Sequence, residues 1–263
     1  MTQVTAATPQ IVDALAGAFT MPVVAPESLP PPYRYRDCKV VNVVFTTEPS
    51  AVVRLVPSPL ELDPAQPLVL YVGRFEFADV DLPYHEAGLL VPVLWDGKPA
   101  GMFAVALYLD SANPIVGGRE IYGWPKKDAE HIAFHEEDGT LTAAVTRYGK
   151  TIISVSLDVQ QRIDPVPPRP MFPIYLLKLI PSVVEGAPPD VLQLNSVLIE
   201  PDVIKEMRLG KATLQFGASP FDPFLAEIPV NEVVHAEAVV RDFTLGYGQV
   251  VFDYLADARA EDD

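Results

Sequence analysis

The sequence predicts a mainly β chain of the α+β kind: an antiparallel, closed or nearly closed β-barrel around an internal ligand cavity, with a few short helices. Three observations predict it. The 263 residues include 28 prolines, about twice the usual share, which works against long helices. Apolar runs of strand length recur with short turn signals between them. These strands are too many for flat sheets with exposed edges, so closure is the economical arrangement, and such a barrel can hold a small ligand.

Gln10 to Phe19 has the spacing of a short amphipathic helix, with Ile11, Leu15 and Ala18 on one side, and a proline-rich arm follows from Met21 to Pro32. Residues 1-32 thus form a helix and arm on what is otherwise a single domain spanning 1-263. Lys39 to Thr46 reads as a strand, and Pro49 opens a helical turn towards Leu55. Strands dominate from Leu68. Leu89 to Trp95 and Gly101 to Leu109 flank Asp96-Gly97, a pair that favours the positive φ of a tight hairpin. Ile132 to His135 and Leu141 to Thr146 meet at Glu137-Asp138-Gly139, and Thr151 to Leu157 continues the meander beyond Tyr148-Gly149-Lys150. Prolines cluster between Asp164 and Pro173 as a crossover within the domain. Ile174 to Ile180, Val191 to Ile199, Val233 to Leu245 and Gln249 to Tyr254 are strand-like again.

Charge narrows the partners. The formal charge of -16 repels nucleic acid and anionic membranes at long range. A few cations in a pocket still suffice for an anionic metabolite, because a surface field reaches only about 8 Å at physiological salt. No apolar run approaches the roughly 18 residues of a membrane span, and no signal peptide is evident. A single cysteine, Cys38, excludes an internal disulfide framework and fits a reducing compartment, so a cytoplasmic protein is expected.

The segment Gly118-Arg119-Glu120-Ile121-Tyr122-Gly123-Trp124-Pro125-Lys126-Lys127 joins glycines, aromatics and two adjacent lysines in a lysine-poor chain. By itself a lysine pair after proline reads as a solvated turn. The run resembles the acetoacetate decarboxylase family, whose characteristic segment is Gly-Arg-Glu followed by an aromatic residue and Pro-Lys-Lys. Counterparts follow in matching order over essentially the whole chain: Asn42-Val43-Val44-Phe45, Tyr84-His85-Glu86, Leu177-Lys178-Leu179-Ile180-Pro181 and Val251-Phe252-Asp253-Tyr254-Leu255.

The resemblance implies that Lys126 forms a Schiff base with a small keto acid, that Lys127 perturbs it, and that Glu86 orients substrate or moves a proton. A free lysine of pKa about 10.4 is almost wholly an ammonium at neutral pH and has no lone pair for a carbonyl. Burial or a neighbouring cation changes that, and acetoacetate decarboxylase is itself the standard example. The imine then acts as the electron sink, so no metal or organic cofactor is implied. Homo-oligomers are, with the N-terminal arm as a contact element.

Two departures from the family pattern stand out. The early active-site arginine falls on Cys38, leaving Arg36, two residues away on the same strand face, as its replacement. A second family carboxylate falls near Tyr71 or Val72, neither of them an acid. Arg36, Arg119, Tyr122 and Cys38 are therefore the candidate substrate-binding residues, with Arg119 and Glu120 read as an ion pair that shapes the loop. If Arg36 substitutes, a β-keto acid is decarboxylated. If no cation does, condensation of pyruvate with an aldehyde, or simple ligand binding, is the alternative. His131 and His135 with Glu130 have a metal-like spacing, but the alternation of the segment favours a surface hairpin edge.

Overall fold

The computed structural model describes residues 19–80, 83–169 and 171–261. The helix expected from Gln10 lies, Phe19 apart, outside them. A single fifteen-stranded, mostly antiparallel sheet dominates the described residues. Its centre is β1 (Tyr33–Thr46), a 14-residue strand entered from the proline-rich arm. A short helix, α1 (Pro49–Val52), begins with proline in its first turn, where a missing N–H costs nothing. After the two-residue β2 (Glu61–Leu62) come β3 (Leu68–Phe75), the two-residue β4 (Phe77–Ala78), β5 (Tyr84–Trp95) and β6 (Lys98–Leu109).

The expected turns form where their residues allow. Asp96 and Gly97 join β5 to β6 with φ of 50° and 68°. Asp138 and Gly139 join β8 (His131–Glu137) to β9 (Thr140–Arg147), and Tyr148 and Gly149 join β9 to β10 (Lys150–Arg162), again all at positive φ. Consecutive left-handed residues match the twist of a tight hairpin.

The second half adds β11 (Ile174–Ile180), β12 (Val191–Val197), β13 (Ile199–Phe216), β14 (Glu232–Leu245) and β15 (Gln249–Asp253), followed by α3 (Tyr254–Glu261). The ladder runs β15-β12-β11-β6-β5-β3-β1-β14-β13-β10-β9-β8. No pairing joins its two ends among the described residues, so the sheet does not close by hydrogen bonds as a barrel would. Nor is it wholly antiparallel. β11 lies parallel to β6, with Ile174 opposite Met102, and β7 (Lys126–Asp128) lies parallel to β6, with Lys126 opposite Leu107. Both need a crossover. The proline-rich segment provides one, and the helix α2 (Ala112–Gly117) with the π-turn Gly118–Tyr122 provides the other.

Two further differences have local causes. The 18-residue β13 was not legible beyond Ile199 because bulges between Pro201 and Val203 and between Ile204 and Glu206 break the period of two. Tyr254 starts a helix, not a strand end, since Asp253 Oδ1 accepts the amides of Leu255 and Ala256.

Alternate residues of β1 serve two cores. Val41, Val43 and Phe45 pack with Leu70, Leu89 and Ile153, whereas Cys38 and Val40 pack with Tyr35, Phe75, Tyr84 and Phe243 around an open cavity. Each fully buried aliphatic side chain contributes about 1.5–3 kcal/mol, so both faces resist a register slip that would exchange them. Among the described residues, no helix is long and apolar enough to cross a membrane.

Candidate active site

β7 is only three residues long, and the preceding loop fixes where it points. Gly118 O accepts the amides of Gly123 and Trp124 at 3.1 and 3.0 Å, and Lys178 Nζ donates to Ile121 O at 3.1 Å. Asn195 Nδ2 donates to Tyr122 O, and Tyr122 OH to Gly246 O, both at 2.9 Å. Gly123 stands at φ 88°, and a Cβ there would lie 2.6 Å from Lys178 Cα, so glycine is required. Arg119 Nη1 donates to the carbonyl of Lys126 at 3.1 Å.

The side chain of Lys126 runs past Gly118, where a Cβ would come within 2.7 Å of Lys126 Cδ. It ends buried, with Nζ 3.0 Å from Glu86 Oε2; both side chains are only 9% exposed. Glu86 comes from β5, and its Oε1 accepts the hydroxyl of Tyr71 on β3 at 2.5 Å. Burial, and then the Glu86 carboxylate, hold the Tyr71 phenol well above its ordinary range, so it remains a donor. Amine, carboxylate and phenol form one chain on a cavity of about 460 Å³. Tyr35, Phe75, Tyr84, Leu90, Trp124 and Phe243 give it an apolar wall, and the exposed Met171 and Phe172 also line it.

This arrangement can do imine chemistry. An amine attacks a ketone only after losing its proton, and Glu86 is the acceptor within reach. The same carboxyl can return that proton when the carbinolamine loses water.

The family model for acetoacetate decarboxylase (ADC) matches residues 20–255. The chain belongs to the acetoacetate decarboxylase family. The acetoacetate decarboxylase of Ralstonia nicotianae is 34% identical over 252 residues, covering 91% of this chain and 96% of that protein. A solved acetoacetate decarboxylase superposes with a TM-score of 0.83 at 24% identity, over 92% of this chain and 98% of the other. The Legionella pneumophila acetoacetate decarboxylase gives 0.78 at 26% identity, over 97% and 100%.

Within this acetoacetate decarboxylase family member, the residues expected at the site separate into three groups. Lys126 and Glu86 meet on the cavity, with Arg119 behind them. Lys127 points to the other side of β7, where Asp222 Oδ1 accepts its Nζ at 2.7 Å. The remaining three lie off the cavity. Tyr122 pins the loop through its hydroxyl. Cys38 is fully buried beneath the lining, and burial pushes its thiol up to about 12, which suits an apolar filler.

Arg36 corrects the expectation that a two-residue displacement brings an arginine into the cavity. Asp37 takes φ 54°, and the β1–β14 register shifts between Tyr35 and Cys38. Tyr35 and Cys38, three apart, therefore share the cavity-side core, and Arg36 turns outward. Its Nη1 donates to Tyr35 O at 2.8 Å and its Nε lies 3.9 Å from Asp242 Oδ2.

Sequence reasoning missed Tyr71 as a partner of Glu86, although it marked that position as one where an acid was expected. It also missed the charged residues of β14. Glu237 is 2% exposed and accepts Arg169 through both oxygens, along with Asn42 and His235. Arg241 also lines the cavity. Their signal was a glutamate and an arginine inside the apolar run of a strand. His131 and His135 are exposed on β8, which forms one end of the ladder, as expected of a hairpin edge.

Proposed function

We propose that this chain is a lysine-dependent carboxy-lyase that decarboxylates acetoacetate or a similar β-keto acid. The observation that carries the reading is the buried Lys126 amine, 3.0 Å from Glu86 and facing an apolar cavity. Glu86 takes a proton from Nζ. The amine adds to the ketone carbon, and water departs to leave a protonated imine. The bond to the carboxylate carbon then breaks, its electron pair moves into the imine, and carbon dioxide leaves. The enamine is protonated on carbon, and water releases the new ketone and the free lysine.

The Glu86 carboxyl is placed for the proton transfers at nitrogen and at the carbinolamine oxygen, while Tyr71 fixes its orientation. The apolar wall favours loss of the negatively charged carboxylate as neutral carbon dioxide. The cavity has room for substituents larger than the methyl group of acetoacetate.

A second reading draws on one observation: neither Cys38 nor Arg36 presents a cation where the family resemblance places one. The same lysine would then condense pyruvate with an aldehyde. Incubation with acetoacetate, and separately with pyruvate plus an aldehyde, distinguishes them. Release of carbon dioxide and acetone at catalytic rates supports the lyase. An unsaturated acid from the second mixture, with acetoacetate untouched, supports condensation instead.

A further inference from the structure

We propose that Arg241 is the anion-binding residue of the cavity, holding the carboxylate of the keto acid whose ketone carbon meets Lys126. This extends the lysine reading above and rests on it for the identity of the second group. Arg241 sits on β14 directly across from Cys38 in the ladder with β1, and it lines the cavity. Its Nε is buried without a hydrogen-bond partner, and no described residue forms an ion pair or a side-chain hydrogen bond with it. The guanidinium carbon lies 4.9 Å from the centre of the Phe243 ring, which steadies it against one wall.

The other charges of the cavity are already matched. Glu86 faces Lys126, and Glu237 holds Arg169 while also accepting His235 at 3.0 Å. Arg169 is thus committed, and Arg36 lies outside. Among the described residues of the lining, two neutralised pairs leave Arg241 as the excess cation, in a protein whose overall charge is -16. A guanidinium nitrogen buried without a partner is costly to keep, and the donors of the group form a flat fork that matches a carboxylate at two points. The missing partner is therefore a monoanion delivered by the ligand.

Position in the cavity also says what Arg241 contributes. A carboxylate loses its charge as carbon dioxide forms, so an arginine that grips it stabilises the bound substrate at least as well as the transition state. Arg241 therefore binds and orients, and its removal is expected in KM more than in kcat.

The test uses Arg241→Gln and three ligands: acetoacetate, butan-2-one as a neutral ketone, and butyrate as an anion without a ketone. Borohydride trapping on Lys126 reads the two ketones, and calorimetry reads butyrate. The variant is expected to need at least about tenfold more acetoacetate for half-maximal trapping and to bind butyrate at least about tenfold more weakly, with butan-2-one trapping unchanged. Trapping of butan-2-one also reports that the variant is folded. Where the glutamine variant fails to fold, Arg241→Met, which also removes the charge, is read the same way with butyrate. Unchanged affinity for acetoacetate and butyrate in a folded variant overturns the assignment while leaving Lys126 in place. Arg241-dependent butyrate binding in a wild type that traps no ketone keeps the anion site and removes the lysine reading.

Discussion

Lys126 and Lys127 are adjacent in sequence and occupy opposite sides of β7, in surroundings that differ in kind. On the cavity side, Lys126 meets one carboxylate beside open, apolar space. Behind the strand, Lys127 joins a closed cluster around Asp222, which is fully buried. Asp222 Oδ1 accepts Lys127 at 2.7 Å and Tyr108 OH at 2.9 Å; Oδ2 accepts Arg147 Nε at 2.8 Å and Ser219 Oγ at 2.6 Å. The contrast teaches that alternation along a strand, not adjacency in sequence, decides which charges act together. Lys127 anchors the strand from behind, its charge neutralised, while Lys126 faces the cavity.

The contrast breaks most visibly at Lys126 itself. Lys126→Ala is expected to lower the initial rate of carbon dioxide release by roughly 10³-fold or more with the fold retained by circular dichroism. Glu86→Gln removes the proton acceptor and is expected to lower kcat about 10²- to 10⁴-fold in steady-state assays. Gly118→Ala places a methyl group 2.7 Å from Lys126 Cδ. The displaced amine is expected to lose about 10- to 100-fold in kcat/KM, because misplacing a reacting group by about 1 Å costs that much.

Behind the strand the expected losses fall on stability. Asp222→Asn leaves Lys127 without its anion and Arg147 with only the exposed Asp128, and is expected to reduce unfolding free energy by about 3–5 kcal/mol in urea titrations. Burial pushes the Asp222 carboxyl up, but hydrogen bonds from Lys127, Ser219 and Tyr108 outweigh it and hold the group at about 2. Its folded value lies below its unfolded one, so its contribution is complete above about pH 4 and fades as pH falls towards 2. Melting temperatures of the Asn variant are expected to fall less over that window than those of the wild type. Lys127→Met is the mildest: about 1 kcal/mol or less of stability for a partly exposed pair, with kcat near that of the wild type. A loss of kcat comparable to that of Glu86→Gln would restore to Lys127 the perturbing role that the family resemblance implies.

Much of this was legible in the sequence for physical reasons. Asp96-Gly97 and Asp138-Gly139 announce their hairpins because few residues tolerate consecutive positive φ. The lysine segment, with Glu86 and its place in the chain order, pointed to the two residues that meet on the cavity. What stayed hidden depended on irregular backbone. A single bulge at Asp37 turns Arg36 outward, and bulges in β13 mask its alternation. Arg241 and Glu237 face the cavity only because β14 pairs with β1 in one register, a contact between residues some 200 positions apart, as between Cys38 and Arg241. The parallel placement of β7 required α2 and the π-turn, which no periodic pattern marked.

The central claim is that the Lys126 amine forms the covalent bond. Its most direct test is sodium borohydride reduction during incubation with acetoacetate, followed by peptide mass mapping. The expected result is one reduced adduct, on the peptide carrying Lys126 and absent from Lys126→Ala. An adduct on Lys127 or Lys178, or none on folded wild-type protein that still releases carbon dioxide, would contradict it.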